Sequence, residues 1–315
     1  MTLISIITPA YNAAPYIGDT IRSVLAQSHS EWEMIIADDG STDGTPSAAR
    51  EVAAGDARVQ VHEFAPSRLP SVARNRALAK ARGEIIAFLD ADDLFLPRKL
   101  EVQLAALGGR DWGFGNCTHF WADGTFADAE HFPADWKPPV PFLPTLMTSS
   151  IGIPFPTVMA RRSALEAISP TGRLADVFDE DPEARAVEDW DVCLRLARRS
   201  EPVYLAATHA RYREHLGGIS KAGETPFLRS IRIVEKMRAA GVDAAVCDRA
   251  RRVQESKLAV ARLLGGKGDW RGLLWRASFP PAGARELFFA GLAAMPAPVA
   301  RAVYTRALRA HWAGR

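Results

Sequence analysis

Apolar and polar positions follow two alternating rhythms over the first hundred residues. Leu3-Ile4-Ser5-Ile6-Ile7 is a compact apolar run, the pattern of a strand covered on both faces. Ile17, Ile21, Val24 and Leu25 then recur at helical spacing. Met34-Ile35-Ile36-Ala37 and Val59-Gln60-Val61 predict a second and third strand, residues 72–81 a helix, and Ile85-Ile86-Ala87-Phe88-Leu89 a fourth strand. A further helix is expected from Pro97, since proline is favoured at the first helical position. Strands alternating with helices imply a mostly parallel sheet with helices on both faces. Such sheets bind ligands at the carboxyl ends of their strands.

From residue 111 to about 156 the rhythm loosens. Trp112, Phe114, Phe120, Trp121, Phe132, Trp136 and Phe142 mix with Pro138-Pro139-Val140-Pro141. Long irregular segments of this kind serve as binding loops or lids. Residues 157–160 read as a return strand and residues 190–198 as a helix. Beyond about Thr225 the chain reads as wholly helical, broken at Gly265-Gly266-Lys267-Gly268. The expected division is an α/β domain over residues 1–224 and a helical region over 225–315.

Composition narrows the class. Over 315 residues, 48% hydrophobic and 24% charged content match globular averages and exclude extended disorder. A net charge of +2 gives no ground for nucleic-acid binding. Cys117, Cys193 and Cys247 are odd in number, far apart and without metal-ligand spacing, so reduced thiols in a cytoplasmic setting are expected. The N-terminus shows no basic leader segment or cleavage pattern, so export is not expected. No apolar run reaches bilayer length.

Polar clusters punctuate this framework. Thr8-Pro9-Ala10-Tyr11-Asn12 follows the first strand, Asp38-Asp39-Gly40-Ser41-Thr42-Asp43-Gly44-Thr45 the second, and Asp90-Ala91-Asp92-Asp93 the fourth. Val187-Glu188-Asp189-Trp190-Asp191 reads as a fourth such end, entering the helix at Trp190. Each alone has an ordinary reading: turn chemistry, complementing a helix dipole, or a solvated turn with a helix cap. Carboxylates about 4 Å apart repel by roughly 4 kcal/mol near a protein surface. Four clusters at the expected ligand edge therefore point to a bound, positively charged partner.

The ordered set of motifs resembles family 2 glycosyltransferases of the GT-A fold. The resemblance is carried by Ser5-Ile6-Ile7-Thr8-Pro9-Ala10-Tyr11-Asn12, Asp38-Asp39-Gly40-Ser41-Thr42-Asp43, Ala73-Arg74-Asn75, Gly83-Glu84 and Asp90-Ala91-Asp92-Asp93. It continues through Phe178-Asp179-Glu180, Glu188-Asp189-Trp190-Asp191 and Tyr212-Arg213-Glu214-His215. It covers about the first 220 residues and implies a Rossmann-like α/β catalytic domain, a mostly parallel sheet flanked by helices, with a helical C-terminal extension.

The implied activity is metal-dependent, inverting transfer of a sugar from a nucleotide diphosphate sugar. Asp92 matches the principal ligand of Mn²⁺ or Mg²⁺, a Lewis acid for the departing diphosphate, and Asp90 lies near ribose or metal. Asp93 is a further ligand or donor contact, or simply starts the next helix. Asp189 matches the general base, with Glu188 orienting it or raising its pKa by like-charge proximity. Pro9, Ala10, Tyr11 and Asn12 match the base and ribose site. Tyr11 would stack on the base and Asp39 would accept from a base N–H, favouring a UDP-sugar. Arg74 and Arg68 are candidates for base or phosphate contact. His215 is a candidate metal ligand and Arg213 a diphosphate contact, with Lys221 the alternative where Gly217-Gly218-Ile219-Ser220 shifts the register. Trp190 and the 111–156 stretch are expected on the acceptor side, facing a glycan or lipid-linked hydroxyl.

Leu287, Phe288, Gly291, Leu292 and Met295 share a helical face, and Arg301, Arg306, Arg309 and His311 form a basic set. This face either packs internally, meets the inner surface of the cell membrane peripherally, or forms an oligomer contact. A sugar-nucleotide pyrophosphorylase would need a glycine-rich loop after the first strand, and a nicotinamide dehydrogenase a G-x-G-x-x-G; the sequence has neither there. A silent nucleotide-sugar binder is disfavoured by Asp90-Ala91-Asp92 together with Glu188-Asp189.

Overall fold

A computed structural model describes residues 2–121, 129–148, 152–182, 187–215, 223–266, 268–278 and 284–313. The chain divides into two compact units, residues 1–145 with 151–218, and residues 146–150 with 219–315. In chain order the elements are β1 (Ile4–Ala10), α1 (Ile17–Leu25), β2 (Trp32–Asp38), α2 (Thr45–Ala53), β3 (Val59–Glu63), α3 (Pro70–Leu78), β4 (Ile85–Phe88), β5 (Leu94–Phe95) and α4 (Lys99–Leu107). There follow β6 (Trp112–Trp121), β7 (Ala129–Glu130), α5 (Phe142–Thr148), β8 (Met159–Arg161), α6 (Arg162–Ile168), α7 (Glu188–Arg199) and β9 (Val203–Glu214). Then come α8 (Thr225–Ala239), α9 (Ala244–Gly265), α10 (Trp270–Ser278), α11 (Ala284–Ala294) and α12 (Ala297–Ala313).

The strands form one sheet ordered β3-β2-β1-β4-β8-β6-β9-β5, with β7 on β6. From β3 to β4 every pairing is parallel. Consecutive residues of β1, β2 and β4 are buried, including Ile6 and Ile7, Ile35 and Ile36, and Ile85 and Ile86. Helices on both faces explain that continuity. Gly83, from the matched Gly83-Glu84 pair, has a structural cause: a Cβ there would lie 2.7 Å from Leu3 O and Ser5 N.

The other half departs from a parallel sheet. β8 runs antiparallel to β4 and β6, β5 antiparallel to β9, and only β6 and β9 are parallel. The stretch read as loose contains β6, a ten-residue strand. Its Asn116 is fully buried and uses its amide on both polar groups of the Phe132 backbone, accepting from N–H at 2.9 Å and donating to O at 3.0 Å. The aromatics expected on an acceptor surface largely pack on one another. Phe114 contacts Trp112, Phe132, Trp136, Phe142 and Tyr204.

One buried cation lies off the site. Lys99 is fully buried, with Nζ 4.0 Å from the Phe95 ring centre and no hydrogen-bond partner among the described residues. Burial pushes its ammonium down to about 7. Its cost to folding is therefore full below pH 7, shrinks as pH rises, and is gone above its ordinary value of 10.5. Lys99→Met is expected to stabilise the fold by on the order of 2 kcal/mol at pH 6, with no gain near pH 10.5, as read from urea midpoints.

The second unit has its own core, built from Leu258, Leu263, Trp270, Leu274, Leu292 and Ala300. The Asp243 carboxylate caps α9 by accepting from Val246 N–H, and Gly266, at φ +68°, ends that helix where a break was expected. Among the described residues no helix is long and apolar enough to cross a membrane. Trp275, Leu287, Phe288 and Val299 are exposed.

Candidate active site

Register places three of the polar clusters on one sheet edge. Ala10 of β1 lies opposite Asp38 of β2, and Ile7 opposite Phe88 of β4. The loops leaving β1 and β2 are joined to each other. Asn12 N–H donates to Ser41 Oγ and Thr42 N–H to Asn12 Oδ1, both at 2.9 Å. Ala13 N–H donates to Thr45 Oγ1 at 2.8 Å and Ala14 N–H to Asp43 Oδ2 at 2.9 Å. Asn12 takes a left-handed conformation at φ +50°, which asparagine tolerates. Pro9 and Ala10 complete β1, and Tyr11 stands half exposed beside them.

Asp39 is buried and already engaged. Its Oδ1 accepts from Ser67 N–H, Ser67 Oγ and Arg76 Nη1 at 2.8, 2.8 and 3.0 Å, and its Oδ2 from Arg68 N–H at 2.7 Å. A carboxylate has about four acceptor positions, so the free capacity is on Oδ2. Asp39 thereby pins the loop in which Arg68 is exposed and left-handed at φ +62°. A bulky residue in that region marks strain held by its surroundings.

Arg74 lies on α3, as expected, and its side chain is held by two carboxylates. Its guanidinium is buried, donating to Asp90 Oδ1 at 2.8 Å and to Glu188 Oε1 at 2.7 Å. The rings of Phe155 and Phe178 lie 5.1 and 5.6 Å from it. Next to it, Asn75 donates to Phe178 O at 2.8 Å and Glu180 Oε1 at 3.0 Å, and accepts from Phe178 N–H at 2.9 Å. The matched Ala73-Arg74-Asn75 and Phe178-Asp179-Glu180 segments thus meet.

Glu188 and Asp189 open α7 at its N-terminus. Among the described residues no strand leads directly into them, and the cluster opens a helix where the sequence pattern sets a strand end. Glu188 is buried and its Oε2 has no partner among the described residues. Burial, then the Glu188 carboxylate, pushes Asp189 up to about 7, against the pull of Arg74. Trp190 is the next residue of the helix, partly buried.

Asp92 and His215, 123 residues apart, come together with His215 Nε2 2.8 Å from Asp92 Oδ2. The Tyr16 ring lies 5.0 Å from that imidazole. Arg213 does not face the open edge: its Nε donates to Asp92 O at 2.7 Å and its Nη2 to Asp19 Oδ2 at 3.2 Å. Asp93 starts no helix, because α4 begins at Lys99. It is buried instead, with Oδ1 accepting from Arg213 N–H at 2.8 Å and Oδ2 unpartnered among the described residues. Burial, with Asp92 and Asp90, holds its carboxyl well above the usual range. Lys221 lies outside the described residues.

The donor set fits a divalent ion. Asp90 and Asp92 keep 30% and 31% of their side-chain surface exposed, an imidazole nitrogen lies 2.8 Å from Asp92 Oδ2, and the buried Oδ2 of the neighbouring Asp93 lacks a partner among the described residues. Oxygen-rich sites of this kind suit Mg²⁺ or Mn²⁺. Three contributors escaped the sequence: Tyr16, Asp19, and Thr20, whose Oγ1 donates to Ala91 O at 2.9 Å. Tyr16 precedes α1 and the other two lie on it; they read as ordinary helix-start and helix residues, and nothing local marks them.

The chain is similar to known proteins in sequence and in fold. TuaG of Bacillus subtilis (strain 168), described as a putative teichuronic acid biosynthesis glycosyltransferase, is 48% identical over 112 residues, 36% of this chain and 44% of that protein. The chain therefore matches less than half of that relative's length. The S. aureus TarS 1–349 structure in complex with UDP-GlcNAc superposes with a TM-score of 0.64 at 18% identity, covering 88% of this chain and 81% of that one. The mannosyltransferase PcManGT of Pyrobaculum calidifontis, in complex with GDP-Man and Mn²⁺, gives 0.58 at 20% identity, covering 95% and 86%. These two share the fold. Residues 5–165, half of the sequence, match the family described as Glycosyl transferase family 2, and the chain belongs to that family.

Proposed function

We propose that this protein moves a sugar from a nucleotide diphosphate sugar, a UDP-sugar first, to a hydroxyl of a glycan or lipid-linked acceptor in cell-surface polysaccharide assembly. One observation carries the reading. A single buried guanidinium, Arg74, bonds both the acidic turn at Asp90 and the Glu188–Asp189 pair. Charge acceptance at the leaving group and proton removal at the nucleophile are thereby assigned to one place.

In this reading Asp189 takes the proton of the attacking hydroxyl, and its raised pKa suits a base working near neutrality. Glu188, itself held by Arg74, keeps Asp189 basic. Tyr11 offers a stacking face for the base, and Arg68, held left-handed by Asp39, faces the phosphates. Asp92, Asp90 and His215 would hold the divalent ion, with Arg213 and Asp93 bracing the turn. When bound, that ion supplies Lewis-acid neutralisation of the departing diphosphate. The UDP preference draws on the TarS complex, while the GDP-Man complex of PcManGT makes a guanine donor the comparison to run.

The test is a thermal-shift panel of UDP-, GDP- and dTDP-sugars with Mn²⁺ or Mg²⁺. At a hundredfold excess over Kd the right donor adds about 2.7 kcal/mol, a shift of several degrees. Asp92→Asn is expected to abolish the metal-dependent part of that shift. A wild-type shift that survives a chelator unchanged rejects the metal assignment.

We further place the protein peripherally on the cytoplasmic face of the membrane, on the strength of exposed Trp275, Leu287 and Phe288 in a unit that also exposes Arg301 and Arg306. Leu287→Glu with Phe288→Glu should reduce cosedimentation with anionic vesicles at least tenfold and leave donor-induced thermal shifts intact. Equal sedimentation of wild type and variant removes this placement.

A further inference from the structure

Away from the acidic turn, β6 carries Cys117 and His119 two residues apart, on one face of the strand. β7 pairs with β6 through His119 and Ala129 and so brings up His131, just beyond its end. One ligand atom from each of Cys117, His119 and His131 lies within 4.8 Å of the other two. The thiol is buried and both imidazoles are partly buried.

Hydrogen-bond accounting leaves this cluster short of positive charge. His119 Nδ1 is 3.1 Å from Glu214 Oε1, and His131 Nε2 is 2.8 Å from Gly152 O. An ionised carboxylate and a backbone carbonyl only accept, so both of these ring nitrogens carry protons. The remaining nitrogen of a neutral imidazole is then a bare lone pair. Yet His119 Nε2 and His131 Nδ1 face each other at 2.8 Å, their rings stacked with centres 5.1 Å apart. Two lone pairs at that separation repel unless a cation joins them. A shared proton is one answer, and a metal ion that also binds the adjacent sulfur is the other. The outer hydrogen bonds, one to a carboxylate and one to a carbonyl, are those that orient metal-bound histidines.

We propose that Cys117, His119 and His131 form a second metal site, selective for a borderline-soft divalent ion, Zn²⁺ first, with a fourth position left to water. Two imidazole nitrogens and a thiolate suit zinc, whereas the oxygen-rich acidic turn suits Mg²⁺ or Mn²⁺. On binding, the Cys117 S–H bond breaks, the sulfur pair goes to the metal and the proton leaves to solvent. The ion fastens β7 and the Gly152 segment to β6. It also steadies the end of β9, where Glu214, bonded to His119, directly precedes His215, bonded to Asp92. The proposal does not depend on the sugar-transfer reading.

Cobalt is the probe. Full-length protein, stripped with chelator and titrated with Co²⁺, is expected to bind one equivalent with a thiolate-to-cobalt charge-transfer band that Zn²⁺ removes. The band should vanish in Cys117→Ala, fall at least tenfold in apparent affinity in His131→Gln, and persist in Asp92→Asn, which separates it from the acidic turn. His131 is partly exposed, so its variant decides the matter if the buried Cys117 variant does not fold. No thiolate band at stoichiometric Co²⁺ overturns the proposal and leaves the histidines sharing a proton. A band undiminished in folded Cys117→Ala or His131→Gln overturns it equally.

Discussion

Asp189→Asn is expected to cut sugar transfer by about 10²–10⁴-fold, the usual contribution of a general base, while donor binding stays within about threefold of wild type. Asparagine keeps the shape and the acceptor oxygen that meets Trp190 N–H at 2.7 Å, but it takes no proton. The same substitution should stabilise the protein. Burial and Glu188 raise Asp189 to about 7, above its ordinary 3.8, so the folded state prefers the protonated carboxyl. That contribution is fully present below the unfolded value and is lost as pH rises through about 7. Asp189→Asn should therefore match wild-type stability at acid pH and exceed it at pH 8. Wild-type kcat/KM should climb through pH 7 on a limb belonging to the Glu188–Asp189 pair. If that limb persists in the variant, the base lies elsewhere.

Arg74→Met is expected to be the most damaging change to the fold of the first unit. It leaves Asp90 and Glu188 without the cation that each contacts within 2.8 Å. Removing one partner from a buried ion pair costs about 3–5 kcal/mol. The sign with pH follows from the orphaned carboxylates. Asp90, whose carboxyl burial already raises against the pull of Arg74, is pushed further up without that cation, so the loss is greatest where it must ionise and shrinks as pH falls and it takes up a proton. Urea midpoints at pH 8 and pH 5 should separate wild type from variant more at pH 8. Arg74→Lys keeps the charge without the two-pronged geometry and should fall between the two. An Arg74→Met protein within 1 kcal/mol of wild type at pH 8 would show that this guanidinium is not the link assigned to it.

Both residues show how far the sequence could be read. The parallel half was legible because Ile4 to Ile7, Met34 to Ala37 and Ile85 to Phe88 are continuous apolar runs, the mark of strands covered on two faces. The strand ends followed, and with them Asp90, Asp92 and the Asn12 and Asp39 loops. β6 was illegible because its buried Asn116 looks like a turn residue until Phe132, sixteen positions on, satisfies its amide. The buried pairing of Arg74 is not legible in the sequence, because its partner Glu188 is 114 residues away. Asp93 looked like a helix cap because nothing local reveals that Arg213 N–H covers it. The Cys117 cluster went unseen because cysteines were weighed against one another and not against histidines.

Completion of the acidic turn from so far along the chain also has a consequence in time. Arg213 and His215 reach it across 121 and 123 residues. At synthesis rates of about 5–20 residues per second, on the order of ten seconds separate the emergence of Asp92 from that of its partners on β9. Through that interval the β1–β2 loop junction has all its residues, while the turn lacks both hydrogen bonds from Arg213 and the contact with His215. The part of the chain assigned to the donor is encoded in its first third and finished among its last strands. A nascent chain that stalls before β9 carries the carboxylates without the residues that aim them.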